Sequence, residues 1–163
     1  IIIYNIPGRS VIDMSVETIA RLAKHKNIIG MKDATNNLAR PLHTRLAVGD
    51  EFCQLSGEDH TILAFLASGG VGCISVTANV APRLMHEMCA AALAGDVTRS
   101  REINERLLGL HRHLFVEANP IPVKWALSRL GLIGPGIRLP LVPLAQPHEA
   151  TVLAAMRRAG VIE

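Results

Sequence analysis

Aromatic side chains are scarce: one Trp, one Tyr and three Phe make up 3% of the 163 residues. With so few rings and no basic run, the chain lacks the stacking platforms and phosphate-binding stripe of a nucleic-acid binder. Its net charge is small, with Lys plus Arg at 17 against Asp plus Glu at 14. Cys53, Cys73 and Cys89 are odd in number and form no Cys-x-x-Cys pair. That supports neither a disulfide framework nor a thiolate zinc site, and a reducing cytosol is expected. No His-Glu-x-x-His occurs, and His111 and His113, two apart on a helix, face different ways, so a metal site has little support. Gly69-Gly70-Val71-Gly72 precedes a strand instead of opening a helix, which argues against a phosphate-cradling loop. An unbroken bilayer-spanning run is also lacking: residues 62–82 carry no formal charge, but Ser68, Gly69, Gly70 and Gly72 interrupt them.

What is present is apolar sequence, 49% of the chain, in short runs. That is ample for a core. The chain opens on Ile1, and its first three residues read as strand interior, so a piece of a longer protein is expected. Residues 1–5 form a β-prone run ended by a Pro7-Gly8 turn. Ser15 then begins a helix with Val16, Ile19, Ala20, Leu22 and Ala23 at helical spacing. Residues 28–32 read as a second strand buried on both faces, after which Asn36 or Asn37 caps a weaker helix towards Leu46, spoiled by Pro41. Residues 52–56 make a third strand, and Ser56-Gly57-Glu58-Asp59 has the spacing of a capping box before a helix over 61–67. Residues 71–76 are the fourth strand, and Pro82 opens a helix ended by Gly95.

Four apolar strands, each followed by a helix, call for a parallel sheet with right-handed crossovers. Periodicity leaves two architectures open, a doubly wound sheet and one half of a (β/α)8 barrel. The division expected is an α/β body over 1–95 and an all-helical region over 96–163. The latter holds a long helix over 97–116 with Ile103, Leu107, Leu110 and Leu114 on its apolar stripe, a shorter one over 122–130, a proline-rich connection over 134–147 and a last helix over 148–159. Trp125 reads as a packing anchor.

The residues with chemistry in them gather at strand ends. Lys32 closes the second strand; lysines there are commonly solvated, and the alternative is an amine that an apolar pocket keeps neutral for attack on a ketone. Tyr4, the only tyrosine, sits near the end of the first strand, as a core ring or as a proton shuttle for imine formation. In parallel sheets both ends lie on the face that carries the site. Arg9 follows the Pro7-Gly8 turn at the same rim, solvated or poised for a carboxylate. Gly57 follows the third strand, as a turn residue or as a point of close approach to a ligand, and Ile74 lies near the end of the fourth.

Tyr4-Asn5-Ile6-Pro7-Gly8-Arg9, Gly30-Met31-Lys32-Asp33-Ala34-Thr35, Ser56-Gly57-Glu58-Asp59, Gly72 to Asn79 and Asn119-Pro120-Ile121-Pro122-Val123-Lys124 stand in order along the chain. Together they resemble the 4-hydroxy-tetrahydrodipicolinate synthase (dihydrodipicolinate synthase) family of pyruvate-dependent class I aldolases. The Tyr-Asn-x-Pro and Gly-x-Lys motifs are shared with related enzymes such as N-acetylneuraminate lyase. The Pro-Gly-Arg turn and the Asn-Pro-Ile-Pro-Val-Lys segment favour the synthase.

The resemblance implies a TIM (β/α)8 barrel with a carboxyl-terminal helical domain, of which this chain would be roughly the last 55–60%. It implies a Schiff-base lyase of lysine and diaminopimelate biosynthesis, cytoplasmic and tetrameric, that condenses pyruvate with L-aspartate 4-semialdehyde and needs no metal or organic cofactor. Lys32 would form the imine with pyruvate and Tyr4 would relay protons. Arg9 would help hold the semialdehyde, and Gly57 and Ile74 would line the pyruvate pocket. The family's Thr-Thr pair for the pyruvate carboxylate, its second relay tyrosine and its lysine-inhibitor pocket have no counterpart in these residues. The isolated chain is therefore expected to be inactive or poorly folded. The alternatives are a related aldolase acting on a 2-keto-3-deoxy sugar acid or N-acetylneuraminate, and a non-catalytic paralogue.

Overall fold

In the computed structural model, which describes residues 1–163, the four apolar runs pair as one parallel sheet in the order β1-β2-β3-β4. The strands are β1 Ile2–Asn5, β2 Gly30–Asp33, β3 Cys53–Ser56 and β4 Gly72–Cys73. Helices α1 Pro7–Ser10 and α2 Val16–Leu22 follow β1, α3 Arg40–Val48 follows β2, and α4 Ile62–Ala67 follows β3. After β4 every element is helical: α5 Thr77–Val80, α6 Pro82–Leu93, α7 Val97–His113, α8 Ile121–Arg129 and α9 Gln146–Ala159. Parallel neighbours joined through helices place all four strand carboxyl ends at one end of the sheet. No helix is long and apolar enough to cross a membrane.

The chain divides into two compact units, Ile1–Ser75 with Ala92–Gly95, and Val76–Ala91 with Asp96–Glu163. The first carries the sheet. Ile19 of α2, Met31 of β2 and Phe52 form a buried cluster, with Ile3, Met14, Ala23, Ile28 and Val48 packed on it. In the second, the expected stripe on α7 is realised: Ile103, Leu107 and Leu110 are buried, as are Val152, Ala155 and Met156 of α9. Gly109 permits the close approach of those two helices, since a Cβ there would stand 3.2 Å from the Ala155 Cβ. Thr77 and His111, both without exposed surface, share a 2.8 Å hydrogen bond between Oγ1 and Nδ1.

Local readings need correction where tertiary contacts override them. The second strand begins at Gly30; Ile29 before it still bonds by its backbone to Ile1 and Cys53, but its side chain is 57% exposed, so the expectation of a run buried on both faces fails there. The fourth is two residues long instead of six, so Ile74 falls just past its end. Neither Asn36 nor Asn37 caps α3. Asn36 takes a positive φ of 60° in the preceding turn, and the Asn37 side-chain oxygen accepts from the Ala39 N–H. Pro41 sits in the first turn of α3, where its missing N–H costs nothing. Ser56 does not open α4, which begins at Ile62 with Thr61 as its N-cap; the Ser56 hydroxyl is engaged with Glu58, donating to its carbonyl and accepting from its N–H. The Pro7-Gly8 turn is the short helix α1, and α7 ends at His113, short of Val116.

Candidate active site

Tyr4 and Lys32 are register partners across β1 and β2. Partners in a ladder point to the same face, so the phenol and the amine leave the sheet together. The Lys32 Nζ lies 4.0 Å from the centroid of the Tyr4 ring, within cation–π reach. Tyr4 is 49% exposed and Lys32 half-buried, so a ligand can reach both from solvent.

Gly57, just past β3, completes this corner. Its N–H donates to the Asp33 carbonyl at 2.6 Å. A Cβ at Gly57 would come within 2.8 Å of the Lys32 Cε, 3.0 Å of the Ala34 Cβ and 3.1 Å of the Asp33 oxygen. The stem of Lys32 therefore lies over bare backbone, and the glycine is required by a close approach, not by a positive φ. Ile74 is held one step beyond β4 by its N–H donating to the Ser56 carbonyl at 2.9 Å, with its side chain half exposed. Arg9 lies in α1 directly after β1, exposed and in no ion pair. The structure thus sets Tyr4 and Gly57 each against Lys32. It sets the Ile74 backbone beside the residue before Gly57, and leaves the Arg9 side chain untethered.

On the opposite face of the same strand ends lies a polar network that the sequence reading did not find. Asn5 and Asp33, register partners like Tyr4 and Lys32, are 4% and 6% exposed. The Asn5 Nδ2 donates to Asp13 Oδ1 at 2.8 Å, and its Oδ1 accepts from the Met14 N–H. Arg40, on α3, donates through Nη2 to Asp13 Oδ2 at 2.6 Å and through Nη1 to the Met14 carbonyl. Its Nε faces Asp33 Oδ2 at 3.4 Å, an ion pair that falls short of hydrogen-bond geometry. The other Asp33 oxygen accepts from the Thr35 N–H at 2.7 Å. The available signal was polar residues ending two apolar strands and an arginine opening a helix; the pairing depends on tertiary structure. A cleft of about 540 Å³ lined in part by Asp13, Asn37, Arg40 and His43 opens on the outer side of this network, away from Tyr4 and Lys32.

A half-buried amine against a phenol, backed by a glycine, has the groups that imine chemistry on a carbonyl compound uses. The profile of the "Dihydrodipicolinate synthetase family" matches residues 1–159. A 4-hydroxy-tetrahydrodipicolinate synthase of Acidiphilium cryptum is 62% identical over 99% of this chain and 56% of its own length. One from Azoarcus is 58% identical over 99% of this chain and 55% of its own length. Among solved structures, a chloride-inhibited dihydrodipicolinate synthase from Acinetobacter baumannii, complexed with pyruvate, superposes with a TM-score of 0.94 at 45% identity. That match covers 99% of this chain and 55% of that one. The chain therefore spans about half the length of the relatives it matches.

Proposed function

The chain belongs to the dihydrodipicolinate synthetase family, and from that premise we propose that the whole protein condenses pyruvate with L-aspartate 4-semialdehyde to 4-hydroxy-tetrahydrodipicolinate. The observation that carries the proposal is the Lys32 amine set against the Tyr4 ring at the carboxyl end of a parallel sheet. In this reading residues 1–95 supply four βα units of a (β/α)8 barrel and residues 96–163 a helical domain. The parallel order of the four strands, each followed by helix, supports the first part.

The Lys32 amine attacks the pyruvate ketone, and the Tyr4 phenol protonates the carbinolamine oxygen so that water leaves and the imine forms. The imine acidifies the pyruvate methyl. Loss of a proton gives an enamine, whose carbon attacks the semialdehyde carbonyl. The amino group of the semialdehyde part then adds to the imine carbon, the ring closes, and Lys32 departs as the free amine. Gly57 gives the lysine stem its room, Ile74 borders the pyruvate pocket, and Arg9 at the rim offers a guanidinium to the semialdehyde carboxylate. We assign the protein to the cytoplasm as a homo-oligomer, a tetramer, which light scattering on the whole protein tests.

Product analysis separates this activity from that of other aldolases. The whole protein is expected to consume pyruvate and aspartate semialdehyde together and to leave N-acetylneuraminate and 2-keto-3-deoxy sugar acids intact. Turnover of a sugar acid with none of the semialdehyde would refute the assignment.

A further inference from the structure

Lys32 and Tyr4 occupy one face of the sheet, while their neighbours in sequence, Asp33 and Asn5, point to the other and are buried. Arg40 joins these two neighbours. Its guanidinium reaches Asp33 at the end of β2 directly, and reaches Asn5 at the end of β1 through Asp13. A third arm binds the Met14 carbonyl, and the Met14 N–H returns to Asn5. We infer that Arg40 and Asp33 are positioning residues for the Schiff-base reaction, a buried clamp that holds the ends of β1 and β2 in register and so fixes the Lys32 amine against the Tyr4 phenol. This inference rests on the role proposed for Lys32.

Two physical arguments favour a positioning role over one in stability alone. Burying a guanidinium and a carboxylate costs several kilocalories of desolvation, and an apolar pair of similar volume commonly serves stability as well or better. What an apolar pair cannot supply is direction. A planar guanidinium presents its nitrogens in a fixed fork, and here they face three groups on two segments, the Asp13-Met14 loop by hydrogen bonds and the end of β2 by the ion pair to Asp33, a directionality that a lysine's compact ammonium lacks. The need for direction is local: β1 and β2 are four residues each, and Tyr4 and Lys32 stand one residue from the strand ends, where pairing gives way to loops. The loop secured by Asp13 and Met14 also follows the helix that carries Arg9, so the clamp ties both the end of β1 and the chain beyond α1 to α3.

The test uses the whole protein. Arg40→Gln alone would strand the buried Asp33 carboxylate and risks unfolding, so the main variant is the neutral pair Arg40→Gln with Asp33→Asn. Arg40→Lys, which keeps a counter-charge but loses the fork, is the second. Both are assayed where circular dichroism shows them folded. Lys32 is expected to retain its borohydride-trapped pyruvate adduct, with kcat per folded molecule down about ten- to hundredfold. In a Tyr4→Phe background the same substitutions are expected to cost less than about threefold, because no phenol is left to position. Unchanged kcat in the folded variants, or the same loss in both backgrounds, overturns the inference. Absence of the adduct in the unsubstituted protein overturns the proposed function itself, an outcome distinguishable from both.

Discussion

Replacing Gly57 by Ala places one methyl group where the structure has no room for it. The new Cβ would stand 2.8 Å from the Lys32 Cε, against a comfortable carbon–carbon contact of about 3.5–4.0 Å. It cannot slide away, because the Ala34 Cβ at 3.0 Å and the Asp33 carbonyl at 3.1 Å confine it on its other sides. The flexible partner is the lysine, which must withdraw by about 1 Å to restore contact distance. A displacement of that size at a reacting atom costs on the order of a hundredfold in rate, or about 2.7 kcal/mol of activation free energy. The accompanying loss of stability is that of modest overpacking, about 1–3 kcal/mol. The assay is kcat together with the rate at which borohydride fixes pyruvate on Lys32, at a temperature where the variant is folded. Wild-type kcat and trapping rate in folded Gly57→Ala would refute the claim that this glycine sets the position of the amine.

Three further expectations concern the second unit and are read in the whole protein. Leu110 on α7 has no exposed surface; Leu110→Ala is expected to cost about 2–5 kcal/mol by denaturant titration, and a loss under about 1 kcal/mol would contradict the packing described. Asp96 caps α7 by accepting from the Arg99 N–H at 2.9 Å, so Asp96→Ala is expected to cost about 0.5–2 kcal/mol by the same titration. His113 makes stability depend on pH: burial first, then the neighbouring Arg112 charge, lowers its pKa from the ordinary 6.5, and its Nδ1 has no hydrogen-bond partner. The unfolded chain therefore takes up the proton first, and stability is full above about pH 6.5 and falls as the pH drops through that value towards the lowered folded-state one. Denaturation at about pH 7.5 and about pH 5 should show His113→Gln losing less on acidification than the unsubstituted protein.

How far the sequence discloses this protein varies with the range of the interaction. The parallel sheet was legible because short apolar runs alternating with amphipathic stretches leave few alternatives, and the α7 stripe of Ile103, Leu107 and Leu110 because its spacing is local. Boundaries set by neighbours were less so. Ile28 and Ile29 look like strand, yet Ile29 faces solvent, and Ser56 looks like a helix cap, yet its hydroxyl closes a turn on Glu58. Tyr4 and Lys32 could be expected at adjacent strand ends, but only register makes them partners. Arg40 and Asp33 were invisible for a different reason. A polar residue at a strand end and an arginine in a helix each read as solvated, and nothing in the order of residues says that both are buried and face each other across 3.4 Å.

The central claim is that Lys32 is the amine that forms the imine. Incubating the whole protein with pyruvate and borohydride, then mapping the modified peptide by mass spectrometry, tests it most directly. The account predicts one reduced pyruvate adduct on Lys32, abolished by Lys32→Ala and formed more slowly in Tyr4→Phe. An adduct on another lysine, or undiminished labelling and turnover in Lys32→Ala, would contradict it.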